Sequence, residues 1–249
     1  MKRLSSLLFL SLFFLLAPCS WAQTPASAKD FVNRCLALYK QQAWDEAIAA
    51  CSKAIELDPK SRDAYAMRAI ILRDGKGNLD GALADFGKAI EIDPHPELYR
   101  GRGLTKYIKN DFDGAIADFN VAIEKDPSAA NYNGRGLARF LKGDLDGAVK
   151  DLSAAIEKSP ASVDLYMVRA KARYIKKDWD GTIADYSMSI KLNPKFPAAY
   201  AGRGLALLMN GKDVEAQKDF DKFLEIAPDK KVMLEDLIKE AKRERTTKK

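Results

Sequence analysis

The chain has 249 residues, with 41 Lys and Arg against 35 Asp and Glu and a formal net charge of +6. Charged residues make up 31% of it with both signs mixed throughout, which describes solvated helix faces and excludes a polybasic footprint for nucleic acid. One histidine and three cysteines leave no metal-ligand spacing and no nucleophile paired with a base, so no catalysis, metal or cofactor is expected.

At the N-terminus, Lys2 and Arg3 precede an apolar run from Leu4 to Leu16, and Ser20-Trp21-Ala22 supplies small residues three and one before a cut. Such a run is short of the roughly 20 residues that span a bilayer. Residues 1–22 therefore read as a secretory signal peptide, followed by a short linker at 23–27. Cleavage removes two positive charges and lowers the balance from +6 to +4. The alternative is a lipid anchor, because Leu16-Ala17-Pro18-Cys19 resembles a lipobox that ends in an acylated Cys19, although Pro18 stands where a small residue belongs. No later stretch is apolar enough to cross a membrane, and the expected location is the periplasm.

Six anchor pairs then recur at intervals of 33 to 35 residues: Ala47/Pro59, Ala82/Pro94, Ala115/Pro127, Ala148/Pro160, Thr182/Pro194 and Ala216/Pro228. A period of this size marks an array of helix pairs, each burying its apolar face only against a neighbour. In helix A of each unit, Phe31, Tyr65, Tyr99, Tyr132, Tyr166 or Tyr200 stands four residues before a small residue: Cys35, Ala69, Gly103, Gly136, Ala170 or Gly204. In helix B, small and large residues alternate on one face, as in Ala82, Phe86 and Ala89. Asp58, Asp93, Asp126 and Asn193 precede prolines and end helix B. The second unit carries one extra residue in the turn Asp74-Gly75-Lys76-Gly77-Asn78, which predicts a looser loop. Asp213 replaces the Trp, Leu or Phe that opens the other B helices, which predicts a late start there. His95, between two prolines, reads as a loop residue.

These positions resemble the tetratricopeptide repeat family, in its exported bacterial form, over roughly Ala28 to Pro228. The resemblance implies an all-α, right-handed superhelical solenoid of six helix-turn-helix repeats, at 28–61, 62–95, 96–128, 129–162, 163–196 and 197–228. Residues 229–249 form a capping helix and basic tail. Val232, Leu234, Leu237, Ile238 and Ala241 fall mostly on one face of that helix. The tail, with Lys242, Arg243, Arg245, Lys248 and Lys249, reads as a frayed, soluble end or as a weak contact for anionic surfaces.

Arginine follows the helix-A aromatic by three residues in all six units, as Arg34, Arg68, Arg102, Arg135, Arg169 and Arg203. Asp85, Asp118, Asp151, Asp185 and Asp219 occupy one helix-B position in five units, and Ala50 replaces them in the first. We expect bidentate structural ion pairs that set register. Lys106, Arg139 and Arg173 add a second cation one turn on, either snorkelling over apolar surface or forming a basic strip for an acidic ligand. Cys35 and Cys51 take repeat positions that face each other wherever this repeat forms, so a disulfide is expected in an oxidising compartment.

The resemblance also implies a groove lined by helix A, with Arg100, Leu104, Tyr107 and Ile108 in the third unit and Asn133, Leu137, Phe140 and Leu141 in the fourth. Met167, Lys171, Tyr174 and Ile175 continue it in the fifth, and Ala201, Leu205, Leu208 and Met209 in the sixth. Such a surface suits an extended peptide or a helix of a partner protein. Chaperone-binding members clamp a C-terminal carboxylate with Lys and Asn, and Lys29 and Asn33 alone do not rebuild that set. The expected role is a non-catalytic interaction scaffold of the cell envelope. The alternatives are a lipid-anchored assembly protein and an accessory subunit of an envelope enzyme.

Overall fold

The computed structural model describes residues 26–247. Residues 1–25, on which the expected signal peptide and Cys19 fall, and Lys248 and Lys249 lie outside the described residues. Within them the chain is all helical. Six pairs follow in order: α1 (Ala28–Lys40) with α2 (Trp44–Leu57), α3 (Arg62–Asp74) with α4 (Leu79–Ile92), and α5 (Pro96–Ile108) with α6 (Phe112–Lys125). Then come α7 (Ala129–Lys142) with α8 (Leu145–Lys158), α9 (Val163–Ile175) with α10 (Trp179–Leu192), and α11 (Pro197–Met209) with α12 (Asp213–Ile226). A single turn at Pro228–Lys230 leads to α13 (Lys231–Thr246), which packs on α11. Among the described residues, no helix is long and apolar enough to cross a membrane.

Local chemistry sets these boundaries. Between the helices of each pair, one residue two positions before helix B is left-handed: Gln42, Gly77, Asn110, Gly143, Lys177 and Gly211, with φ between 59° and 89°. The extra residue of the second repeat is thus absorbed ahead of Gly77 without moving that turn. Asn78, Asp111, Asp144 and Asp178 then cap helix B, accepting from the backbone N–H of Gly81, Gly114, Gly147 and Gly181 at 2.9–3.0 Å. At the far end, Asp58, Asp93 and Asp126 are extended caps before their prolines.

Two expectations are corrected here. Helix α12 begins at Asp213, in register with Trp44 and Trp179 rather than late, because an acid in the first turn suits the helix dipole. Arg245 is not frayed: it lies in α13 and donates to both carboxylate oxygens of Asp213 and, at 2.7 Å, to the carbonyl of Leu208.

Neighbouring repeats join through residues matched in size. Helix B offers Cys51, Phe86, Phe119, Leu152 or Tyr186, and the next helix A answers with Met67, Gly101, Gly134, Val168 or Gly202. A Cβ at Gly101, Gly134 or Gly202 would come within 2.6, 2.3 and 2.3 Å of the facing ring. Where the helix-B residue is smaller, the opposing side chain grows, with Met67 packed beside Cys51 and Val168 beside Leu152. Ring against glycine at three junctions and smaller matched side chains at the other two divide the same space and reach close packing.

Candidate functional site: the helix-A face

Two kinds of polar junction hold helix A in place. In five repeats an arginine grips an aspartate of its own helix B, with Nε and Nη2 donating to the two carboxylate oxygens at 2.6–3.0 Å. The pairs are Arg68 with Asp85, Arg102 with Asp118, Arg135 with Asp151, Arg169 with Asp185, and Arg203 with Asp219. All five aspartates are buried, and each guanidinium lies 5.6–6.0 Å from the ring centre of the tyrosine three residues before it. These hydrogen bonds push Arg68, Arg102 and Arg203 above the ordinary arginine value despite their desolvation.

The remaining Nη1 reaches back to the preceding helix B, donating to Ser52 from Arg68, Asn120 from Arg135, Ser153 from Arg169 and Ser187 from Arg203 at 2.7–3.1 Å. One arginine thereby ties three helices together. Arg102 faces Gly87 at the equivalent place.

Lys106, Arg139 and Arg173 neither snorkel nor form a free basic strip. Each turns inward onto the aspartate already held by the first cation, with Lys106 Nζ 2.8 Å from Asp118, Arg139 Nη1 2.8 Å from Asp151 and Arg173 Nη1 2.9 Å from Asp185. A carboxylate from the facing helix lies between two cations one turn apart and turns their repulsion into attraction.

A second, exposed ladder was not anticipated from the sequence. The second residue of helix B pairs with a residue just after helix A, or at its end, in the following repeat: Asp45 with Lys76 at 2.8 Å, Asp80 with Lys109, Asp113 with Lys142, Asp146 with Lys176, and Asp180 with Asn210 at 3.0 Å. An acid and a base about 30 positions apart in successive repeats is the pattern that carries it.

Consecutive A helices approach each other more closely than consecutive B helices do, so helix A lies on the inner side of the curve. The expected groove residues divide there between two hollows. Arg100 and Leu104 line one of about 290 Å³, with Ala66, Ile70, Arg73 and Phe86 among its other walls. Phe140, Lys171, Tyr174 and Leu205 line another of about 260 Å³, with Ile175, Tyr186 and Gly202. The second is walled by α7, α9 and α11 and opens where α9 and α11 stand apart. Gly202 lets its floor reach the ring of Tyr186, whose burial pushes the hydroxyl up to about 12.

Tyr107 packs edge-on to Phe112 at 6.1 Å, Asn133 and Leu137 are half-buried, and Leu141 is exposed. Met167 departs from expectation: it is 8% exposed and packs with Ala170, Tyr186 and Ala199, so it belongs to the core beneath the groove. Ala201 and Leu208 are buried in the same way under α13 and α12. Cys35 and Cys51 are joined across α1 and α2 with Cα atoms 5.4 Å apart. His95 stands at the N-terminal boundary of α5 in an exposed turn, and its side chain makes no capping hydrogen bond. Among the described residues, no group of three or more His, Cys, Asp or Glu is placed to hold a metal ion.

Profiles of the tetratricopeptide repeat match residues 28–61, 67–130 and 133–195, well over half of the chain. The chain belongs to the tetratricopeptide repeat family. Its solved relatives share the solenoid. The MamA protein is 28% identical, with a TM-score of 0.65 over 69% of this chain and 94% of that one. YrrB, described as a tetratricopeptide repeat protein with an unusual peptide-binding site, is 21% identical, with a TM-score of 0.66 over 78% and 98%. The C-terminal part of a repeat protein from Cytophaga hutchinsonii is 18% identical, with a TM-score of 0.72 over 84% of each chain. No curated protein matches the sequence. A tetratricopeptide repeat solenoid of this kind supports protein–protein interaction, with the repeats as scaffold.

Proposed function

We propose that this tetratricopeptide repeat protein is a non-catalytic adaptor of the cell envelope that holds an extended segment or a helix of a partner protein on its helix-A groove. The hollow walled by Phe140, Lys171, Tyr174, Ile175 and Leu205 carries the reading. Its volume of about 260 Å³ accommodates a large apolar side chain, and its walls come from three successive repeats, as a peptide lying across them requires. Lys171 is exposed at the rim and selects a partner with an acidic residue beside its apolar anchor. The peptide-binding site described for YrrB supports the same use of this architecture.

Export rests on the sequence of residues 1–22. An N-terminus at Gln23 on the recovered protein is the expected outcome. Incorporation of a labelled fatty acid, abolished by Cys19→Ser, would favour the lipid-anchored alternative.

A photocrosslinking residue at Ile175, used in cells, tests the groove. We expect a defined set of adducts that Phe140→Ala and Lys171→Glu both deplete while helicity and melting temperature stay close to wild type. Adducts unchanged in both variants would remove the groove from the proposal.

A further inference from the structure

The first repeat keeps the arginine of the ion-pair ladder and lacks both of its acceptors. Arg34 follows Phe31 by three residues as the other arginines follow their tyrosines. Ala50 stands where the next five repeats place aspartate, and among the described residues no helix stands before α1 to supply a hydroxyl or amide. Arg34 is exposed, and among the described residues its guanidinium makes no ion pair or hydrogen bond. At this place lies a pocket of about 240 Å³, lined by Phe31, Arg34, Glu46, Ala49 and Ala50.

The other repeats report what such a pocket takes. Five times in the same chain, this guanidinium in this position binds one carboxylate through Nε and Nη2. We propose that the pocket of the first repeat binds the carboxylate of an Asp or Glu side chain from a partner polypeptide, which supplies in trans what Ala50 omits.

Three observations favour this occupant. Elsewhere the Arg–Asp pair holds helix A to helix B. In the first repeat the adjoining residues Cys35 and Cys51 make that tie, so Arg34 is not needed for it. The planar, two-point donor edge of a guanidinium matches a carboxylate. Glu46 at the pocket wall repels a dianion such as phosphate about twice as strongly as a single carboxylate, and it offers an acceptor to an N–H close to the bound group, as the backbone of an acidic residue provides. The pocket lies between helices A and B of the first repeat, away from the hollow of repeats four to six, so it can fail or hold independently of the groove.

The Nε–H resonances of the purified protein test the proposal by nitrogen-edited NMR. The probes are three peptides: one with a single central Glu and both ends blocked, its Gln counterpart, and an all-Gly peptide with a free C-terminus. We expect the Glu peptide to shift Arg34 saturably and leave Arg68, Arg102, Arg135, Arg169 and Arg203 unmoved, because their aspartates already occupy them. Ala50→Asp should carry the Arg34 resonance to the range of those five and abolish the response. Ala50→Leu, which fills the pocket without adding charge, should abolish the response without that shift. The proposal is overturned by no shift, by equal shifts with the Glu and Gln peptides, or by a response that survives Ala50→Asp. A response to the free C-terminus alone overturns the choice of an acidic side chain.

Discussion

Gly134 lies flat against the ring of Phe119, so close that a Cβ there would stand 2.3 Å from the nearest ring carbon. At the next junction along the stack, between α8 and α9, Leu152 meets Val168. Gly134→Val should therefore destabilise the protein by about 1–3 kcal/mol through overpacking. Adding Phe119→Leu, which copies the Leu152 and Val168 arrangement, should recover much of that loss. A thermal double-mutant cycle measures it, and additive losses would show that the two residues do not share one space.

Asp151 accepts from both Arg135 and Arg139 and is almost fully buried. Asp151→Ala would strand two cations and should cost about 3–5 kcal/mol. Asp219 serves Arg203 alone among the cations of its repeat, so Asp219→Ala should cost less. Urea midpoints of the two variants check the order, and a larger loss at Asp219 would contradict the two-cation account.

Gly87 leaves Arg102 without the third acceptor that Ser52, Asn120, Ser153 and Ser187 give its counterparts. A Cβ at Gly87 meets nothing within 4 Å. Gly87→Ser should stabilise by about 1–2 kcal/mol from helix propensity and the added charged hydrogen bond. Gly87→Ala supplies the propensity alone, so the excess of Ser over Ala in melting temperature isolates the bond. A serine variant no more stable than the alanine would show that Arg102 gains nothing.

Tyr186 is pushed up to about 12 by burial, whereas an unfolded tyrosine ionises near 10. The folded state thus holds this proton more tightly, so its contribution is complete below pH 10 and is lost as pH rises toward 12. Stability should fall by about 3 kcal/mol across that window from this residue. Tyr186→Phe should flatten the alkaline limb relative to wild type in denaturant titrations at pH 9 to 12, and parallel limbs would count against it.

Cys35 and Cys51 are 16 residues apart. Their bond should stabilise the first repeat by about 3 kcal/mol on the chain-entropy account. Mass spectrometry without reductant should find the protein two hydrogens lighter than the dithiol form, and two alkylatable thiols would refute the pairing.

The sequence carried the phase of the repeats because Pro59, Pro94, Pro127, Pro194 and their small-residue partners act locally. The Arg68 to Arg203 series was legible for a related reason: identical residues recur at one place per repeat. The inward turn of Lys106, Arg139 and Arg173 was not, because the spacing within one helix displays two like charges and hides the carboxylate brought from the next. Met167 misled for the opposite reason. Its place in helix A holds the half-buried Arg100 and Asn133 in the third and fourth repeats, but here Tyr186 beneath it draws a flexible apolar chain into the core. Asp213 looked like a defect in helix α12 until Arg245 supplied a partner from α13, 32 residues on.

The two ends of the stack are closed by different chemistry. At one end a covalent link joins α1 to α2. At the other, Arg245 reaches over an exposed Asp213 from a helix rich in charge. Reductant therefore loosens the first repeat and leaves the last intact, whereas salt screens the last and leaves the first. A linear array unravels from whichever terminus is weaker. The medium thus acts unequally on the two ends: reduction removes the tie of the first repeat, whereas salt weakens only the Arg245–Asp213 pair and leaves Leu234 and Ala241 packed over the last.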